Sequence, residues 1–205
     1  VTLLELCKGL AKNVGIAVPT VVYAGTDRTA VEMLQCANDT GEELARRVDW
    51  GVLRSSQVLT GDGTNIGFTL TSPYNRLSVG AAVTYPSTKA IIRQLTVGEA
   101  STLSAAIGAP RYYLLEGTSM RFWPYIPNTL TAVVRYQSDD WCDNGATNSN
   151  AFAADSDTPR IPDRLLLQGM IVRWRRQKGM DYADFEAEYE ATIAQMASFD
   201  EGARL

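Results

Sequence analysis

Residues 159–197 read PRIPDRLLLQGMIVRWRRQKGMDYADFEAEYEATIAQMA, two helices joined at a single glycine, the first cationic and the second acidic. Pro162 suits a first helical turn, where its missing N–H leaves nothing unsatisfied. Leu166, Met170 and Trp174 recur at four-residue spacing and form an apolar stripe. Gly179 is placed to end that helix, because glycine alone takes the left-handed conformation without steric cost. Asp181 and Asp184 have the spacing of a capping pair for the next helix. On that helix Tyr182, Phe185, Tyr189, Thr192 and Met196 share one face. The pair carries no evident chemistry, and its stripes suit packing and docking.

Working outward, residues 2–14 predict a short helix striped by Leu3, Leu6, Leu10 and Val14. Residues 27–48 predict a longer one, with Thr29 and Glu32 as its capping box. Its seam runs through Ala30, Leu34, Ala37, Gly41, Leu44 and Val48, with Gly41 expected to admit a neighbouring backbone. After Trp50 the character changes. Runs rich in Val, Leu, Thr and Ile at 52–60, 65–71 and 76–84 predict strands, with Gly61-Asp62-Gly63 as a hairpin turn. Thr96 and Glu99 open a short helix. A second hairpin spans RYYLLEG–TSMRFWPYIP, and a strand follows at 130–137, with Leu130, Ala132, Val134 and Tyr136 alternating.

The expected fold is α+β: terminal helices 1–51 and 159–199 form a bundle, and 52–137 is a β-rich insertion. Residues 138–158 are expected as an acidic polar loop and 200–205 as a C-terminal tail. There is no internal repeat.

Composition narrows the chemistry. The chain has 19 basic and 23 acidic residues, a net charge of −4, which disfavours gripping a nucleic-acid backbone. Histidine is absent, removing the commonest general base, the commonest metal ligand and the Ser-His nucleophiles. Cys7, Cys36 and Cys142 lack metal or redox spacing and read as unpaired structural thiols. No apolar run is long enough to span a membrane. Glu5 and Lys8 interrupt the N-terminal apolar stretch, so no signal peptide is expected.

Two groups of residues stand out as candidate sites. Arg173, Arg175, Arg176 and Lys178 surround Trp174. They suit docking on a phosphate or an acidic protein face, a solvated helix end favoured by the helix dipole, or pairing with Asp181, Asp184, Glu186, Glu188 and Glu190. The second group is Asp139, Asp140, Asp143, Asp155 and Asp157, a solvated loop or an acidic surface that repels DNA; calcium-loop spacing is absent. Tyr112, Tyr113, Phe122, Trp123 and Tyr125 alternate on strands and read as core or subunit packing rather than base-stacking platforms.

TLLELCKGLAKNVGI at 2–16, TAVEMLQCANDTGEELARRVDW at 29–50 and IPDRLLLQGMIVRWRRQKGMDYADFEAEYEATIAQ at 161–195 together resemble the adaptor proteins of tailed bacteriophages, also called head completion or tail tubular A proteins. The resemblance implies a structural, non-catalytic virion protein without cofactor, metal site or membrane segment. It implies a homo-oligomeric ring of about twelve copies in the neck, made in the host bacterial cytoplasm. Its partners would be the portal protein and a tail tube or nozzle protein, with DNA passing through the channel unbound. By the same resemblance, Arg173, Trp174, Arg175, Arg176 and Lys178 lie near a portal or neighbour-subunit contact, and the 52–136 strand block faces the tail. The acidic loop is the candidate channel-facing surface, and 138–160 and 198–205 are the segments expected to order on docking. The alternatives are a tail-side completion protein and, from another class, a carboxylate-metal enzyme acting on DNA.

Overall fold

The hydroxyl of Thr2 accepts the Glu5 N–H, and the Glu5 carboxylate accepts the Thr2 N–H in return, a reciprocal cap that starts helix α1 (Leu3–Val14). Helix α2 (Arg28–Arg47) follows. Strands β1 (Arg54–Thr60), β2 (Gly67–Thr69), β3 (Tyr74–Leu77), β4 (Val83–Tyr85), β5 (Ala90–Ile91) and β6 (Arg93–Gln94) come next. The short helix α3 (Val97–Ser101) leads to β7 (Tyr112–Glu116), β8 (Ser119–Trp123) and β9 (Thr131–Ser138). The chain closes with β10 (Cys142–Asp143), β11 (Asn148–Ser149), β12 (Thr158–Pro159), α4 (Asp163–Gln177) and α5 (Ala183–Phe199). This computed structural model describes residues 1–64, 67–80 and 82–200, apart from the side chain of Phe199. Part of the strand expected at 65–71 and nearly all of the expected tail lie outside the described residues.

The fold is α+β, and the chain divides into two units. One holds Val1–Leu53 and the chain from Asp139 onward; the other is Arg54–Ser138.

In the helical unit α4 is central. Leu166, Met170 and Trp174 are buried as their spacing predicts, but Leu165, Gly169, Ile171 and Val172 are buried too, because α1, α2 and α5 each pack against it. Gly169 is the close-approach point: a Cβ there would stand 2.4 Å from Thr40 Cγ2 and 2.9 Å from the Tyr189 hydroxyl. Gly41 serves a different neighbour from the one expected. A Cβ there would stand 2.4 Å from the Trp141 indole, so the notch admits a side chain rather than a backbone. The α4 stop is a Schellman motif: Gly179 sits at φ +66°, its N–H donates to Arg176 O, and the Met180 N–H donates to Arg175 O.

The expected caps fare unequally. The box on α3 forms between Thr96 and Glu99. Helix α2 is capped by Asp27, whose carboxylate accepts the Ala30 N–H, in place of Thr29. Thr29 lies inside the helix, and Glu32 is drawn to Arg28 and Lys178 instead. At α5 the N-cap residue Tyr182 makes no side-chain cap, but the expected Asp181 does serve the helix start: its carboxylate accepts the Ala183 N–H at 3.3 Å.

Residues 138–158 differ from the expected loop. β10 pairs with β11 and β12 in a small antiparallel sheet that joins the helical core through Trp141, Cys142 and Phe152. Trp141 and Phe152 meet edge to face at 4.9 Å. Three aromatic or thiol side chains among polar residues were enough to anchor the segment. The three cysteines are free and buried, and burial pushes the Cys7 thiol up to about 12.

In the β unit, β9 is the central strand of a five-stranded sheet in the order β1-β9-β4-β5, with β3 also on β9. A second sheet runs β2-β8-β7-β6. Their inner faces share one core, with Leu59, Val83, Ala132 and Val134 from the first sheet and Met120 and Phe122 from the second. The hairpin expected within 111–127 forms as β7–β8 in antiparallel register. Gly61-Asp62-Gly63 is not a hairpin turn. β1 pairs with β9 and β2 with β8, so this stretch carries the chain from one sheet to the other.

Candidate interface surfaces

The cationic end of α4 does not stand alone. Lys178 Nζ lies 2.5 Å from Glu32, and Arg173 lies 2.5 Å from Glu43 and 3.9 Å from Asp39. Arg176 pairs with Glu186 of α5 and stacks over the Tyr182 ring at 4.8 Å. Arg175 donates to the Asp181 carbonyl and stacks over Phe185 at 4.0 Å. Pairing within the chain was one of the sequence alternatives, and for Arg176 its expected partner set is right. The acids of α2 are the partners that sequence reasoning missed, because they lie more than a hundred residues away along the chain.

Trp174 is not a surface residue. It is 3% exposed, in the core of the helical unit, because its four-residue stripe points inward. Lys178 and then Arg28 hold the Glu32 carboxyl below its usual range. Arg47 likewise holds Glu190 low, bridging α2 to α5 through a 2.5 Å contact. Such partly exposed pairs are each worth about 0–1 kcal/mol, so they fix register more than they add stability.

The five loop aspartates separate into two kinds. Asp157 is buried, and its carboxylate accepts the N–H groups of Ala153 and Ala154. Asp155 accepts the N–H groups of Val22 and Tyr23, tying the α1–α2 connection to the small sheet. Asp157 is thus held inside by backbone donors that need an acceptor, while Asp155 is half-buried and bonded, and Asp143 likewise accepts the Gly145 N–H. Asp139, Asp140 and Asp143 are half-buried. Burial, and after it the charge of Asp139, pushes the Asp140 carboxyl up. Among the described residues, no three His, Cys, Asp or Glu side chains gather as a metal site. No helix among them is long and apolar enough to cross a membrane.

Of the strand aromatics, Tyr113 and Phe122 are core, and Tyr112 and Trp123 pack half-buried on the small cluster around Leu114. Tyr125 is half-buried as well.

Charge is partitioned between the units. The helical unit carries 12 basic against 20 acidic residues, a net −8; the β unit carries 7 against 3, a net +4. The overall −4 conceals this contrast.

A charge-divided, two-unit chain whose strand aromatics pack into its cores suits assembly, and comparison with known families agrees. The family model described as SU10 adaptor protein matches residues 2–205. The chain belongs to that family. It is a family of phage head–tail adaptors, so the protein is a phage adaptor, a virion component that assembles with other virion proteins. No curated protein matches the chain.

Proposed function

We propose that this adaptor is the subunit of a ring, of about twelve copies, that joins the portal to the tail, prolongs the DNA channel and acts in genome retention and ejection. The observation that carries the reading is the family match across residues 2–205. The protein works without turnover, in the neck of the virion. Its partners are further copies of itself, the portal protein and a tail tube or nozzle protein.

Within this reading, the outer part of the Arg173–Lys178 cluster lies near a portal or neighbour-subunit contact. Arg176, paired with the partly exposed Glu186 and stacked on Tyr182, is the more open of the two ends, and Lys178 stands behind it on Glu32 and the Trp174 ring, so an acidic partner would compete first for Arg176. Arg173 and Trp174 act behind them, holding α4 in place. Asp139, Asp140 and Asp143 remain the candidates for an acidic channel surface, which lets DNA pass because it neutralises no phosphates. The β unit faces the tail.

The test is the native mass of the protein alone and mixed with the portal ring of the same phage. Adaptor copies joining the portal in a fixed number are expected. A protein that ignores the portal and assembles only with tail components would move it one layer down the neck and overturn the reading.

A further inference from the structure

The antiparallel register sets Val58, Val133, Thr84 and Ile91 side by side on the outward face of the five-stranded sheet, across β1, β9, β4 and β5. The two ends of this row, Val58 and Ile91, are 58% and 66% exposed. A sheet face turned to water ordinarily alternates to polar residues, and clustered exposed aliphatic side chains mark interaction surfaces. The charges around the row have one sign. Arg135 donates to Thr84 Oγ1 at 3.2 Å, Arg54 opens β1, and Lys89 stands in the turn two residues before Ile91. Neither β1 nor β9 contains an Asp or Glu.

The helical unit has a surface of the opposite kind. Along the first half of α5, Asp184 and Glu188 are exposed beside Phe185, itself 39% exposed. Phe185 lines a cleft of about 270 Å³ with Leu167 and Ile171, and Glu188 stands at its rim, 3.8 Å from Arg164. An aliphatic knob ringed by cations thus has a partner surface in a cleft whose apolar wall is Leu167, Ile171 and Phe185, whose polar lining is Asn13, Arg164, Gln168 and Glu188, and beside which Asp184 is exposed; Arg175, stacked over Phe185, stands at one side of it.

We propose that the outward sheet face of one copy docks on the α4–α5 cleft of the next, with Ile91 entering beside Phe185 and Lys89 and Arg135 facing Asp184 and Glu188. This rests on the ring reading and names its subunit contact. The charges select the geometry: two sheet faces repel each other, as do two α5 faces, so a two-fold dimer through either is disfavoured. A contact between unlike patches repeats head to tail and closes into a ring. Nucleic acid would suit the cations but has no use for the exposed Val58–Ile91 row, so the row favours a protein partner.

Disulfide trapping tests it. A copy carrying Ile91→Cys is mixed with a copy carrying Phe185→Cys, with oxidised glutathione as oxidant, in the presence of the portal ring. The native thiols are buried and stay out of the reaction. The control replaces Ile91→Cys by Val97→Cys, a site 63% exposed on α3. The expected yield of crosslinked heterodimer exceeds the control by about tenfold, as proximity raises effective concentration. Asp184→Arg with Glu188→Arg in the second copy should remove the excess, and Lys89→Glu with Arg135→Glu in the first should restore it. Crosslinking no greater than the control overturns the proposal. If rings form in that sample, the contact lies elsewhere and the ring reading stands; if no ring forms, both fail. A crosslink that is absent while duplex DNA binds the protein and loses that binding with Arg135→Glu would assign the face to nucleic acid.

Discussion

The helical unit and the β unit solve the same burial problem with different means. The helical unit gathers its core around one helix that is apolar on several sides, and it recruits the small β10–β12 sheet to complete it. The β unit shares its burial between two thin sheets, and its outward face keeps aliphatic side chains in solvent. Charge follows the same division, −8 against +4. Packing fixes each fold, while the charges left on the surfaces are free to specify partners, since exposed pairs contribute little to stability.

The largest expected effect tests whether the helical core depends on its recruited sheet. Trp141→Ala empties the notch at Gly41 and should cost about 3–5 kcal/mol, as large aromatic deletions do. Urea unfolding followed by circular dichroism measures it, and a loss below 1 kcal/mol would mean that the small sheet is an ornament on the helices. An intermediate effect belongs to the β unit. A Cβ at Gly61 would stand 2.3 Å from the Ile126 carbonyl oxygen, a backbone atom that cannot swing aside. Gly61→Ala should therefore destabilise this unit by about 1–3 kcal/mol, and proton exchange of the β9 amides should rise before that of α4. Equal acceleration in α4 would show that the units do not unfold separately. The smallest effect tests the role of charge. Arg176→Ala removes an ion pair with side chains 55% and 41% exposed, and should change stability by less than about 1 kcal/mol. A larger loss in the same urea melt would make the pair structural rather than available for docking.

Much of the fold was legible because local signals agreed with the tertiary outcome. The α3 capping box, the Gly179 stop, the β7–β8 hairpin and the inward alternation of Ala132, Val134 and Tyr136 all form as their spacing predicts. Leu130, at the end of that alternation, is 37% exposed because it lies just before β9 begins. Three features were misread for one common reason. The Gly61 stretch looked like a hairpin because adjacent strands usually pair, yet β1 found its partner some seventy residues on, in β9. The segment around Trp141 looked like a loop because its local composition is polar. Gly41 looked like a notch for a neighbouring backbone, but its neighbour is the Trp141 indole, a hundred residues along the chain.

The candidate site divides in the same way. The cations of α4 were visible as a cluster, and their partners on α2 were not. Sequence by itself determined the helices, the β7–β8 hairpin and the β9 strand, where several of them stop, that the chain is acidic and lacks histidine, and the family resemblance carried by its two ends. Those properties are local or compositional, set by periodicity, caps and residue counts within a few turns of chain. Only the tertiary structure decided which strands pair, that the Asp157 carboxylate is buried to satisfy backbone donors, and that the cations of α4 find partners on α2. These depend on contacts between residues far apart in the chain, where the free energy of burial outweighs any local preference.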